Sequence, residues 1–186
     1  MNICIIGDGL AGLSLAKNLT NKKINVHLYY KNKTKKLPSS RTIGISKNNL
    51  DFFKKEIYDI PQKIFWVIKK IEIYSEKTEG EKILKFENDK KNLFYMVKNS
   101  KLHESLTREL LKDKFFKKKL MKKKSFYTDL LKKNEYDLII NCDSNNFLSK
   151  KYFTNKINKD YENCAYTTIL KHKKITNNIA IQNFTK

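Results

Sequence analysis

The six residues Gly7-Asp8-Gly9-Leu10-Ala11-Gly12 carry the clearest chemistry in the chain. They follow a short β-branched run, Asn2 to Ile6, and open a stretch with helical spacing, in which Leu10, Leu13, Ala16 and Leu19 fall on one side. The hexapeptide alone is a weak signal, but between a strand and a helix each glycine has a task. Gly7 permits the tight turn. Gly9 lets a pyrophosphate approach the backbone at the helix N-terminus, beside the amides of Leu10 and Ala11. Gly12 allows the helix to lie close on the strand. Such a loop can hold the diphosphate of a dinucleotide. Asp8 sits inside it and suits a helix N-cap. Beside a pyrophosphate its carboxylate would repel, so it must then point away.

Dinucleotide sites of this kind also use an acidic residue at the end of the second strand, where it accepts hydrogen bonds from a ribose. Counting from Gly7, that place belongs to Tyr30, and Lys31 follows it. The tyrosine hydroxyl supplies neither the charge nor the paired oxygens. This departure lowers the expected affinity for FAD or NAD.

The elements that must position these residues begin with a β-α-β unit: strand Asn2 to Ile6, helix Leu10 to Leu19, strand Ile24 to Tyr30. A lysine-rich loop over 31–40, closed by Pro38-Ser39-Ser40, leads to a short strand at Thr42 to Ser46 and a helix at Lys47 to Glu56. Three apolar runs, Ile64 to Tyr74, Lys82 to Phe86 and Leu93 to Val97, read as antiparallel strands with turns near Glu79-Gly80 and Asn88-Asp89. Leu102, Leu106 and Leu110 mark an amphipathic helix from Ser100 to Leu111, with Ser100 as its N-cap. Phe115 to Tyr127 is ambiguous, because lysine interrupts every hydrophobic pair. Tyr136 to Cys142 is a strand ending at Asp143. Tyr161 to Leu170 and Asn178 to Phe184 read as two further strands.

Composition bounds the answer. The chain has 186 residues, 40% of them hydrophobic and 12% aromatic, which is too apolar for a disordered chain. The formal charge is +21, yet Arg41 and Arg108 are the only arginines. Nucleic-acid readers favour arginine on one clustered face. Here lysine is spread through every segment, so nucleic-acid binding is not the expected role. Lys117–Lys119 and Lys122–Lys124 read as a solvated surface. The three cysteines and three histidines are dispersed, without zinc-ligand spacing. Cys4 and Cys142 lie in apolar runs, as buried inert thiols do. Trp66 sits in an apolar strand and reads as core, and His103 as a solvated helix position. No stretch reaches the length of a membrane span, and no basic region precedes the first apolar run. A cytoplasmic protein is expected.

Five stretches in order resemble one family, the FAD-dependent aromatic monooxygenases of the para-hydroxybenzoate hydroxylase type, and more narrowly the bacterial ubiquinone-biosynthesis hydroxylases. They are GDGLAG, SSRTIGISKNNLDFF, FYMVKNSKLHESL, YDLIINCDSNNFLSKK and DYENCAYTTILKHKKITNNIAIQNFTK. The resemblance implies an α/β fold: a Rossmann-like FAD-binding domain with an antiparallel β excursion over residues 1–155, then the first strands of a substrate-domain β-sheet over 156–186. It implies FAD as cofactor, with Gly7, Gly9, Leu10, Ala11, Gly12, Tyr30, Arg41 and Asp143 at the cofactor positions. Arg41 stands where the family's arginine approaches the flavin. NAD(P)H would reduce the flavin, and oxygen would then hydroxylate an electron-rich ring of a small aromatic or quinone-precursor substrate. Quinone precursors are membrane-bound, which implies peripheral contact of the basic surface with the anionic inner membrane.

The departures are equally specific. In the fourth stretch Asp143 is kept, but Ser144 replaces the family's glycine, Phe147 its serine and Lys150 its arginine. The resemblance covers the N-terminal half of such a protein. The chain therefore reads as truncated or degenerate, with a complementing C-terminal polypeptide as an implied partner. No residue stands out as a catalytic acid or base; in this family that chemistry belongs chiefly to the flavin. The alternative is a non-catalytic nucleotide-binding or interaction module derived from the same family, which Tyr30 and Ser144 favour.

Overall fold

The computed structural model describes residues 1–31, 41–75, 82–87, 92–121, 125–155, 159–162, 164, 166 and 178–184. In chain order the elements are β1 (Asn2–Ile6), α1 (Leu10–Asn21), β2 (Asn25–Tyr30), β3 (Thr42–Ser46), α2 (Lys47–Glu56), β4 (Phe65–Ile68), β5 (Lys70–Ser75), β6 (Lys82–Glu87), β7 (Phe94–Lys98), α3 (Asn99–Leu111), β8 (Phe116–Leu120), α4 (Phe126–Lys132), β9 (Leu138–Asn141), α5 (Phe147–Tyr152) and β10 (Ile179–Phe184). Contacts divide the chain into two units. One comprises Met1–Leu37, Glu56–Tyr58 and Leu102–Tyr166; the other comprises Pro38–Lys55, Asp59–Lys101 and Thr167–Lys186.

The first unit is built on a parallel sheet in the order β8-β2-β1-β9. Every pairing in it is parallel. Numbered by their order along the chain, these strands run 3-2-1-4, the doubly wound arrangement in which strand order reverses beside the first strand. A parallel sheet is covered on both faces, and its central strand is apolar throughout. Accordingly Ile3, Cys4, Ile5 and Ile6 are all buried. α1 closes over the sheet with Leu13 and Ala16 fully buried. The leucine stripe of α3, Leu102, Leu106 and Leu110, is buried as its spacing predicts. The helix starts at Asn99, so Ser100 lies inside its first turn rather than at the N-cap.

The second unit holds two three-stranded sheets. In one, β7 lies between β3 and β4, both antiparallel to it. In the other, β5 lies between an antiparallel β6 and a parallel β10. The run from Ile64 to Tyr74 is thus two strands in different sheets, parted at Lys69, whose N–H donates to Asn178 O at 2.8 Å. Glu72, 6% exposed, accepts from Lys70, Lys82 and the Tyr74 hydroxyl at 2.7, 2.6 and 2.8 Å. Hydrogen bonds from Lys70, then Lys82 and Tyr74, hold its carboxyl down to about 2. Trp66 is 48% exposed on β4, not core as its strand suggests, although Ile68 on the same face of the strand is buried.

The mixed parallel and antiparallel architecture agrees with the sequence. Phe115 to Tyr127 resolves into strand β8 and the start of α4. Of Tyr161 to Leu170, the described residues are not in a strand, and the rest lie outside the described residues. The same holds for the loop over 32–40, both excursion turns and Lys122–Lys124. Among the described residues no helix is long and apolar enough to cross a membrane, which says nothing of strands.

Leu28 on β2 is fully buried, whereas Phe52 on α2 is 58% exposed. Leu28→Ala should cost about 2–5 kcal/mol in urea unfolding. Phe52→Ala should stay within about 0.5 kcal/mol of wild type.

Candidate functional site

β1 ends in the glycine loop at the point where strand order reverses, which is where open α/β sheets bind ligands. The loop is held from both neighbouring strands. Gly7 N–H donates to Tyr29 O of β2 at 2.8 Å, and Cys142 N–H after β9 donates to Ile6 O at 2.8 Å. Gly7 has φ +106°, and a Cβ there would come within 3.1 Å of Asp143 Cβ and of the backbone at Cys142 and Asp143. A Cβ on Gly12 would lie 2.1 Å from Gly7 O. Both glycines are required by the fold itself.

Gly9 differs. Its backbone angles, φ −68° and ψ 173°, suit any residue. A Cβ built on it meets nothing within 4 Å. The chain therefore does not need glycine here, and the space beside it is open. Gly9 also stands at the N-cap of α1 and has no side chain to cap it. The first amides of a helix have no intrahelical acceptor. At Leu10, Ala11 and Gly12 these donors and the positive end of the helix dipole together suit an anion such as a diphosphate.

Asp8 does not cap α1, contrary to one use its type suggests. Its carboxylate pairs with Lys118 Nζ on β8 at 3.1 Å. Its carbonyl accepts from His103 Nε2 at 2.8 Å, which places a proton on that ring nitrogen. His103 is thus a part-buried support of the loop, not a solvated helix position. Tyr30 ends β2 as expected, and Lys118 Nζ lies 4.5 Å from its ring centroid. Lys118 was indistinguishable from its neighbours in the lysine run. Its side chain is only 17% exposed, so that run is not uniformly a solvated surface. The i, i+2 relation of Lys118 to the buried Phe116 on a strand was the available signal.

Asp143 follows β9 beside Gly7. Its carboxylate accepts from Asn145 N–H at 3.0 Å and lies 3.9 Å from Lys31 Nζ. The turn around it is a polar knot that the sequence did not announce. Asn146, 1% exposed, caps α5 by accepting from Ser149 N–H at 2.9 Å. Asn146 Nδ2 donates to Asn141 Oδ1 at 2.6 Å, and Ser149 Oγ donates to Asp143 O at 2.8 Å. The Asn-x-x-Ser spacing was the legible part of this cap. Ser144 and Lys150 are exposed, and Phe147 is 44% exposed. Arg41 belongs to the second unit, exposed just before β3, with its carbonyl accepting from Asn99 N–H at 2.9 Å. The first unit thus brings together Gly7, Gly9, Leu10, Ala11, Gly12, Tyr30 and Asp143.

Beneath the loop, a second polar group lies against the β1 face bearing Cys4 and Ile6. Tyr136 OH is 2.8 Å from both His27 Nδ1 and Tyr29 OH. Lys119 Nζ lies 3.1 Å from the same His27 nitrogen. An ammonium can only donate, so Nδ1 accepts and the imidazole is neutral. Burial first, then Lys119 and Lys117, lowers the pKa of His27 from its ordinary 6.5, against an opposing effect of Glu135. Burial, then the hydrogen bond with Tyr29, raises that of Tyr136. Burial pushes the Cys4 thiol up to about 12, which leaves it inert.

No family model matches the chain, and no curated protein matches it in sequence. Solved structures share its fold. The p-nitrophenol 4-monooxygenase PnpA from Pseudomonas putida is 15% identical with a TM-score of 0.54, over 63% of this chain and 31% of that one. PqsL, a probable FAD-dependent monooxygenase from Pseudomonas aeruginosa, is 12% identical with a TM-score of 0.51, over 64% and 32%. The 2-methyl-3-hydroxypyridine-5-carboxylic acid oxygenase is 16% identical with a TM-score of 0.52, over 64% and 31%. The fold is therefore that of these oxygenase structures. The match spans about a third of their length.

Two outcomes follow from this geometry. Gly12→Ala should destabilise the chain by about 1–3 kcal/mol or more through overpacking, while Gly9→Ala should melt close to wild type. His27 charges less readily folded than unfolded, so its contribution is present above pH 6.5 and is lost as pH falls through the lower folded value. The melting temperature should drop on acidification below pH 6.5, and His27→Gln should flatten that drop.

Proposed function

We propose that the chain is the cofactor-binding part of an FAD-dependent monooxygenase that hydroxylates a small aromatic ring. The observation that carries this reading is Gly9: an open N-cap whose glycine the fold does not require, at the strand-order reversal of a sheet shared with flavin monooxygenases. In this reading the amides of Leu10, Ala11 and Gly12 bind the FAD pyrophosphate. Gly7 and Asp143 shape the floor of the loop, and Asp143 approaches the cofactor from β9. Lys118 turns the Asp8 carboxylate off the diphosphate. Tyr30 borders the ribose; Arg41, in the second unit, is assigned to the flavin by the family resemblance alone. Bound FAD would supply the redox chemistry, with NAD(P)H as electron source and oxygen as the inserted atom's source.

The finer assignment is to ubiquinone-type biosynthesis, with a quinone precursor as substrate. The motif order of the five stretches supports it; PqsL in complex with 2-aminobenzoylacetate supports only the coarser reading of a small aromatic substrate. A boundary near residue 155, a complementing C-terminal polypeptide and peripheral contact with an anionic membrane belong to the same proposal. Tyr30, in place of a carboxylate, favours a second reading, a non-catalytic nucleotide-binding module.

The deciding measurement is flavin content and FAD titration of the purified chain by absorbance and fluorescence quenching. Stoichiometric FAD, lost in a folded Gly9→Val variant, is expected. Absence of FAD binding would overturn the flavin assignment.

A further inference from the structure

The glycine loop carries a competitor for its own anion site. The first amides of α1, those of Leu10 and Ala11, lie two and three residues beyond Asp8. An aspartate readily accepts from amides at those distances, as in Asx turns and helix caps. An unrestrained Asp8 carboxylate would therefore bond to the donors that a diphosphate needs. Each amide has one hydrogen to give, and two anions at one helix end repel each other. The structure holds residue 8 elsewhere, from two sides. From α3, His103 Nε2 donates to the Asp8 carbonyl at 2.8 Å and fixes the backbone. From β8, Lys118 Nζ pairs with Asp8 Oδ2 at 3.1 Å. The Lys118 and Asp8 side chains are 17% and 32% exposed, against 62% and 63% for the surface pair Lys54–Asp59. Solvent thus screens the Asp8 pair less. The Tyr30 ring, its centroid 4.5 Å from Nζ, keeps the ammonium in place by cation–π attraction.

We propose that Lys118 is a positioning residue that keeps the loop open to a diphosphate by holding the Asp8 carboxylate off the α1 amides, so that without Lys118 the loop inhibits itself through Asp8. The proposal rests on the reading that the glycine loop holds a dinucleotide diphosphate, and it requires no contact between Lys118 and the ligand. Lys118 stays paired with Asp8 in the free and in the bound protein. Removing Lys118 alone releases the carboxylate. Removing the carboxylate as well leaves nothing to compete. An ammonium acting only as a nearby positive charge would behave differently, because its loss would weaken anion binding with or without Asp8. The two cases differ in whether the effects of the two substitutions add.

The test is a double-mutant cycle on the full chain, titrated with FAD and with ADP, with thermal melting of every variant as a folding control. Lys118→Met, and likewise Lys118→Gln, should weaken binding of both ligands by about 3- to 30-fold, the range of one helix-capping interaction. Asp8→Ala should bind at least as tightly as wild type. In the Asp8→Ala background, Lys118→Met should cost less than about 2-fold. Lys118→Arg, which keeps the ion pair, should bind like wild type. Additive effects of the two substitutions, or undiminished binding by Lys118→Met, would overturn this inference and leave the glycine-loop reading intact. Failure of both wild type and Asp8→Ala to bind either ligand would overturn the two readings together.

Discussion

The close approach of α1 to the end of β1 is the constraint on which the first unit depends. A single methyl group at Gly12 would come within 2.1 Å of the Gly7 carbonyl, and one at Gly7 would press on Asp143 and Cys142. Glycine at both positions lets the helix start directly over the strand end. Only then do its first amides point into the crevice where strand order reverses. β9 returns beside β1 and brings Asp143 to the same point. A fold tolerant of bulk at Gly12 would move the helix, and its first amides, off the sheet.

The strong positive charge is managed by placement. β8 is an edge strand among the described residues, and its sequence is Phe-Lys-Lys-Lys-Leu. Lysine on an edge discourages pairing with another chain. Its alternate residues nonetheless have different fates. Lys117 is exposed, Lys118 is drawn to Asp8 and the Tyr30 ring, and Lys119 reaches His27 and lies 5.6 Å from the Tyr29 ring centroid. One lysine run therefore serves as a solvated edge, a support of the glycine loop and a member of a part-buried polar network.

That network and the knot at Asn146 share a design. Each keeps its polar groups satisfied against the parallel sheet. Asn141, Asn146 and Ser149 exchange hydrogen bonds under Asp143, so the turn after β9 is fixed without a bulky core. Buried polar groups left without partners cost free energy, and satisfied ones give the turn a single conformation.

The sequence by itself determined the elements whose pattern is local: β1, α1 and β2 from apolar runs around a glycine loop, β3 and α2 to the residue, and the leucine stripe of α3. It also identified Gly7, Gly9 and Gly12 as residues of one candidate site through a motif whose spacing reflects backbone sterics, with Tyr30 placed by counting from Gly7 and Asp143 by the family resemblance. Tertiary structure alone decided the rest. It split the run from Ile64 to Tyr74 between two sheets, because which partner a strand meets is not written in its own alternation. It made Phe-Lys-Lys-Lys-Leu a strand, because pairing with β2 supplies what its weak apolar pattern lacks. And it chose Lys118 from a uniform lysine run, because only the register against β2 puts that ammonium between Asp8 and Tyr30.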